Sequence, residues 1–282
     1  MSQDSTAKPK NIDYFHVPRP LWRRVRKKFP KVNQDGKPGR KRADNRAVLN
    51  GIWYVLWTGC QWKAVHRDWF GVCSSVLHQR FQDWQASGLF EAVMREMVQF
   101  YSRQRHIRWK WQSIDSRSCP APLGGTKTGK SPVDRSKQGS KIHILVDQRG
   151  APLAVLVTGA NSSDKWSADD LIVSIVVERP TTQQHLCADR GYDYPDVHLF
   201  VEQARYIAHI KHRRTRGEPL VEDCPIPGET CFPARRWVVE RTLGWLVKRR
   251  SLRTRWCKKV ENWCALIQFA CAHILLSLAI YG

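Results

Sequence analysis

Three acidic residues, Asp115, Asp189 and Glu240, stand in settings that suit one catalytic group. Asp115 ends the apolar run "WQSID" and Asp189 ends "QHLCAD". In an α/β sheet the ends of such strands line the crevice where ligands bind. Glu240 lies in "RRWVVERTLGWLVKRR" and is the only acidic residue from Thr230 to Val260, against ten lysines and arginines. An Arg236–Glu240 ion pair one helical turn apart contributes only ~0.2–0.5 kcal/mol, in the poorer order with the cation first. Carboxylates brought together repel unless a cation or a shared proton relieves them. Three such oxygen donors suit Mg²⁺ (or Mn²⁺), which takes a few carboxylates plus water and phosphate oxygens. Two ions about 3.5–4 Å apart in one active site activate the attacking oxygen and stabilise the leaving one in phosphodiester chemistry. Each acid alone also fits a turn or a cap, and Asp147, Asp164, Asp193 and Glu178 compete for the same role.

The elements that must position these acids follow from periodicity. Leu21, Val25 and Phe29 recur at helical spacing on a short basic helix. After the linker "GKPGRKRADN", Asp44 or Asn45 caps a helix that buries Val48, Ile52, Val55 and Leu56 and ends at Gly59. A second starts at Ser74 or Ser75, buries Leu77, Phe81 and Trp84, and stops at Gly88. A third runs from Leu89 to about Gln104 with Phe90, Val93, Met94, Met97 and Tyr101 inward. Short helices with tight turns fit a helix-turn-helix-like module, with His78, Gln79, Arg80 and Gln82 as the DNA-reading face, or a bundle used for dimerisation. Beyond Arg108 the texture changes. "WQSIDS" and the two halves of "KIHILVDQRGAPLAVLV" read as strands, the halves joined by a turn at Arg149-Gly150. Residues 167–178 read as a serine-capped helix, "QHLCAD" as a strand, "VHLFVEQA" as a helix and "RYIAHIK" as a strand, with helix from Arg235 onward. The order β-β-β-α-β-α-β-α predicts an α/β domain with a mixed sheet over 107–282, preceded by a small all-α domain over 1–106.

Composition narrows the partner. The 282 residues carry a formal net charge of +22, with basic excess in both halves, so the partner is dense in negative charge: nucleic acid first, an anionic membrane second. Nine cysteines without a CxxC, three of them (Cys257, Cys264, Cys271) recurring every seven residues, read as small buried thiols of a reduced cytosolic protein. His209, His212, Cys224 and Cys231 are the alternative zinc set, with the cysteines too widely spaced for a knuckle. "CALIQFACAHILLSLAIY" is uncharged and follows a basic run, as a membrane anchor would; a buried core helix is the preferred reading. The polar start "MSQDSTAKPKNID" is no signal peptide.

Taken in order, "SIDS", "SKIHILVDQRGAPLAVLVT", "ADRGYD" and "RRWVVERTLGWL" resemble the DDE transposases of bacterial insertion sequences, in particular the compact insertion-sequence family five. "RPLWRRVRKKFP", "GRKRADNRAVLNGIWYVLWTGCQWKAV" and "FQDWQASGLFE" are similar to that group's helical N-terminal domain. The resemblance implies an RNase-H-like mixed sheet with flanking helices. It places Asp115 on the first strand, Asp189 after the fourth and Glu240 on a later helix, as catalytic and metal-binding residues. It further implies double-stranded DNA as partner, both element ends and target, and a homodimer or larger assembly on that DNA in the bacterial cytoplasm. Arg236, Arg241, Lys248, Arg249 and Lys141 become the phosphate contacts beside the site. A regulator that binds DNA without cutting it is the alternative. Two departures stand out: "ANSSD" lacks the histidine often found before the residue matching Asp164, and Pro233 occupies the place of a tyrosine.

Overall fold

The computed structural model describes residues 15–31, 42–132, 134–213 and 235–282. Helix α1 (Arg19–Val25) buries Leu21 and Val25. Helix α2 (Asn45–Thr58) starts where the Asp44 carboxylate accepts the Ala47 N–H at 2.9 Å, which satisfies one of the donors a helix start leaves open. It stops at Gly59, whose left-handed φ of 68° most other residues adopt only with strain. Short α3 (Arg67–Phe70), α4 (Ser74–Ala86) and α5 (Leu89–Arg105) follow, with the predicted apolar faces inward.

The sheet is built from β1 (Trp111–Pro120), the two-residue β2 (Gly129–Lys130), β3 (Gln138–Asp147), β4 (Pro152–Gly159), β5 (Gln184–Ala188) and β6 (Tyr206–Ile210). Strand β3 pairs antiparallel with both β1 and β4, while β1, β5 and β6 run parallel. The resulting order β4-β3-β1-β5-β6, antiparallel on one side of β1 and parallel on the other, is the mixed sheet expected from the sequence, and the two-residue β2 is an addition at the start of β3. Helix α6 (Ala168–Val173) packs on β3 and β4, α7 (Pro195–Gln203) on β6, and α8 (Arg236–Val247) on β1 and β3.

The helix expected over 167–178 ends early. Ser174 turns its hydroxyl back to the Leu171 carbonyl, and Val176 N–H donates to Leu153 O at the edge of β4, so the β-branched run 175–177 leaves the helix for the sheet. The apolar C-terminal stretch forms α9 (Val260–Tyr281), long and apolar enough to cross a membrane by length and composition, yet 67% of its most apolar window is buried inside the protein. It lies along α5, and Phe269 meets Trp53 at 5.2 Å and Phe90 at 5.6 Å, so apolar packing passes without a break from the N-terminal helices to the sheet. Cys257 precedes α9 and does not share its face with Cys264 and Cys271, although all three thiols are pushed up by burial, to between about 11 and about 12.

Candidate active site

Asp115 does not end its strand, as the sequence suggests; β1 continues to Pro120 because β3 pairs with it as far as Pro120↔Gly139. What ends is its other partner. The parallel register with β5 runs Trp111↔His185, Gln112↔Leu186, Ser113↔Cys187 and stops there. Two residues further on each strand stand Asp115 and Asp189, the latter just past the end of β5. The two carboxylates therefore emerge side by side where the parallel strands part, at the carboxyl ends of both.

Helix α8 delivers the third. Its start is held over β1 by Ser113 Oγ donating to Arg235 O at 3.2 Å. Further along, Thr242 Oγ1 donates to Gly150 O at 2.9 Å and Arg241 to Arg149 O at 2.7 Å, fixing the helix to the β3–β4 turn. Gly150 has φ 85°, and a Cβ there would lie 2.6 Å from Thr242 Oγ1, so that turn accepts α8 only as glycine. Between these anchors Arg236 donates from Nη1 to Asp189 Oδ1 at 3.1 Å and from Nη2 to Glu240 Oε1 at 3.0 Å. One guanidinium thus joins the second strand's acid to the helix's acid, and Arg236, Asp189 and Glu240 all act on Asp115. Burial foremost raises the Asp115 carboxyl to about 6; the Asp189 and Glu240 charges push the same way, and the Ser116 N–H and Arg236 oppose them.

The competing acids have other duties. Asp147 is fully buried and accepts from Tyr101 Oη, Arg108 N, Arg149 N and Ala151 N, which ties α5 to the β3–β4 turn. Asp164 accepts from Lys141 Nζ at 3.0 Å and Ser116 Oγ at 3.1 Å, with the buried His143 ring 3.9 Å away. Asp193 accepts from His198, His212 and the Arg213 N–H, and these donors hold its carboxyl below the usual range against a desolvation that works the other way. Glu178 is exposed beyond α6.

Several expected phosphate contacts lie elsewhere. Arg249 is buried, donates to Trp245 O and His273 Nδ1, and has its guanidinium lowered to about 10 by burial. Arg80, expected on a reading face, is buried with its guanidinium on the Asn45 side chain, an interior tie between α4 and α2. Arg241 lies between the Trp237 and Trp245 rings, 4.6 Å from each, besides holding Arg149 O. Charge in the sequence marked all three for DNA; packing makes them scaffold. Lys141 is spent on Asp164 and Ser162 O. Lys248 is exposed but lines a different cavity, with Trp57 and Tyr281. His78 and Gln79 are exposed and bonded to Gln82 and Asp83 of their own helix. Of the alternative zinc set, His209 bonds His185 and His212 bonds Asp193, while Cys224, Cys231 and Pro233 lie outside the described residues. Sequence reasoning passed over Arg190 and Arg213, which line a cavity of about 450 Å³ with Asp189, Gly191 and His212. The only signal for them was their closeness to "ADRGYD" and to His212.

Among the described residues no three His, Cys, Asp or Glu side chains close on one point as they stand. The Arg236 guanidinium lies between Asp189 and Glu240, paired with both. The donor set itself, a half-buried Asp115 repelled by Asp189 and Glu240, fits a hard divalent cation.

Comparison with known proteins places the chain in a family. Residues 112–275 match the family described as "Transposase DDE domain", and residues 17–94 the family "Putative transposase of IS4/5 family". A Burkholderia cepacia protein, "Putative transposase for insertion sequence element IS402", is 34% identical over 183 residues, 61% of this chain and 75% of the relative. An "Insertion element IS402 uncharacterized 16.2 kDa protein" from the same organism is 33% identical over 104 residues, 36% of this chain and 70% of that one. Among solved structures, a piggyBac transposase synaptic complex with hairpin DNA covers 95% of this chain and 74% of its own, at 10% identity and a TM-score of 0.45. The chain belongs to the DDE transposase family of insertion sequences, DNA-cleaving and strand-transfer enzymes that generally work with divalent metal ions.

Proposed function

We propose that this transposase binds the terminal inverted repeats of its insertion sequence, hydrolyses a phosphodiester at each end, and joins the freed 3′-OH to target DNA. The observation that supports this reading is that β1 and β5 part beside Asp115 and Asp189, while one arginine joins Asp189 to Glu240. Both reactions are in-line displacements at phosphorus, so one site serves both. Asp115, Asp189 and Glu240 are the residues that would hold two divalent ions, which supply activation of the attacking oxygen and charge relief on the leaving one.

The chain's own part is placement. Arg236 holds Asp189 and Glu240 within one hydrogen-bonded group. Its planar fork would match two phosphate oxygens better than a lysine would. Asp164, fixed by Lys141 and Ser116, gives the strand segment after Asp115 a rigid wall. Two ends must be cut in concert, so we propose a homodimer or larger assembly on the DNA.

The test is metal-dependent cleavage and joining of labelled DNA carrying the element's flanking ends, with wild type beside Asp115→Asn and Glu240→Gln. Cutting and joining by wild type, with variants that only bind, is the expected result. Retained cleavage by either variant would remove the acid assignment. Binding without cutting by all three, with Mg²⁺ and with Mn²⁺, would make the chain a DNA-binding regulator on a DDE fold.

A further inference from the structure

The cavity beside Asp189 is one end of a continuous surface. Its walls are Asp189, Arg190, Gly191, His212 and Arg213. Asp193 fixes the two distal walls by accepting from His212 Nδ1 at 3.0 Å and from the Arg213 backbone at 2.7 Å. Arg213 then reaches Tyr194, donating from Nη1 to its hydroxyl at 2.6 Å. The Lys165 ammonium stands 4.7 Å from the centre of the Tyr194 ring and 4.1 Å from that of Trp166. Trp166 is 62% exposed. Cations and aromatic faces thus alternate outward from a catalytic acid: Arg190 and Arg213, Tyr194, Lys165, Trp166.

Each part has a physical cost that a ligand would repay. An indole left this open forgoes burial of a large apolar ring. Ordered donors around a cavity of this size, with Asp193 committed to orienting them, match the non-bridging oxygens of a phosphodiester. Together they form the pairing found where single-stranded nucleic acid is held, a basic track for the backbone with aromatic platforms for the bases. A base reaches such a face only when it is out of the duplex stack.

We infer that the surface from Asp189 to Trp166 is a subsite for an unpaired stretch of DNA at the active site, a phosphodiester held in the cavity by Arg190, His212 and Arg213 and a base stacked on Trp166. This rests on the DNA-cleaving reading above and adds a route by which one strand enters or leaves the site. Duplex DNA alone would not use the indole face.

The experiment is fluorescence anisotropy of labelled oligothymidylate and of a labelled duplex on the full chain in EDTA, so that catalysis plays no part. Trp166→Ala is expected to weaken oligothymidylate binding about tenfold, the effect of losing one stacked base, and to leave duplex binding unchanged. Trp166→Phe, which keeps a stacking face, should restore most of the loss. Arg213→Ala should lower the steepness of log affinity against log salt by about 0.7, one phosphate contact for a single strand. Equal oligothymidylate affinity in Trp166→Ala and wild type, or a salt slope unmoved in Arg213→Ala, overturns the inference. The outcome is independent of the cleavage test: an inactive enzyme with a Trp166-dependent strand affinity would keep the subsite and lose the transposition reaction, and an active one without it would do the reverse.

Discussion

Arg236 is the group whose removal tests how the site is held together before any metal arrives. It is 29% exposed and bridges Asp189 (40%) and Glu240 (54%) at 3.1 and 3.0 Å. Charges 4 Å apart attract by roughly 1 kcal/mol in water and roughly 4 kcal/mol at an effective dielectric constant of 20. Side chains this exposed belong near the lower figure, since measured pairs of this kind give about 0.2–1 kcal/mol. Two contacts, plus the loss of a positive charge facing Asp115, put Arg236→Ala at about 1–2 kcal/mol in metal-free buffer. For a chain of this size that is a Tm fall of roughly 2–8 °C. The second half of the prediction is a compensation. With the guanidinium gone, Asp115, Asp189 and Glu240 repel without relief, so a divalent cation has more to gain on binding the folded protein. Stabilisation by ligand grows as the logarithm of concentration over Kd, and the rise in Tm across a Mg²⁺ or Mn²⁺ titration should be larger for Arg236→Ala than for wild type. The assay is calorimetry in EDTA and along that titration. Arg236→Lys should fall between the two, because a point charge does not span both carboxylates. A variant with wild-type Tm in EDTA and a wild-type response to metal would refute the view that Arg236 stands in for the cation.

Other outcomes follow from the same structure. His143 and His273 are buried neutral, lowered to about 4 and about 3 by desolvation, from 6.5 in a free side chain. Depressed histidines stabilise fully above 6.5 and lose that contribution as pH falls, so each should lower unfolding free energy by about 1.4 kcal/mol per pH unit between 6.5 and 4; His273→Gln should shift the slope by that amount in denaturant titrations, and an unchanged slope would exclude it. Gly150→Ala places a Cβ 2.6 Å from Thr242 Oγ1 at a φ of 85°, and a strain of about 1–3 kcal/mol that displaces α8 should cut strand-transfer rates with all three acids intact; wild-type rates would show that the turn does not position Glu240. Duplex affinity should fall about 10³–10⁵-fold between 50 and 200 mM salt if six to ten phosphates are engaged, and a flat response in anisotropy would count against backbone binding.

How much of this was legible in the sequence depends on whether a residue's neighbours are local. The caps were readable, because Asp44 acts on Ala47 three residues away and Gly59 acts through its own φ. The order of strands and helices along the chain followed from apolar runs and turn chemistry, and the lateral order of the strands in the sheet did not. Asp115, Asp189 and Glu240 were readable as candidates, since each breaks an otherwise apolar or basic run. What pairing partners do at long range was not readable. Nothing in "WQSIDSRSCP" says that β3 would carry the strand on past Asp115 while β5 stopped at Ser113. Residues 174–178 have no helix breaker, and only the edge of β4 draws them away. Arg80 sits on a helix with His78 and Gln79, yet only the packing against Asn45 turns it inward.

The same distinction revises what the charge means. Of the ten lysines and arginines around Glu240, five are exposed: Lys248, Arg250, Arg253, Lys258 and Lys259. Arg249 and Arg255 are buried. Arg255 donates to Cys257 O, Lys127 O, Lys258 O and Ser140 Oγ, and so fastens the approach to α9 onto β3 and the loop before it. Arg235 lies over the Trp111 ring at 3.9 Å, and Arg241 between two more indoles. A buried guanidinium without a carboxylate must be satisfied by carbonyls and ring faces, and its charge stays desolvated. It releases no counterion from DNA. The net charge of +22 therefore overstates the surface that DNA can meet, and the salt dependence of binding has to be carried by the exposed cations alone. Glu240 is then less an exception inside a phosphate-binding patch than the acid of a helix whose arginines divide their work. Arg236 faces the candidate carboxylates, Arg241 holds the β3–β4 turn, and Arg249, just beyond the helix, closes the interior against His273. Substituting Arg241 or Arg249 should accordingly lower stability and leave the salt slope of DNA binding where it was. Substituting exposed Arg213 should lower the slope without a comparable loss of stability.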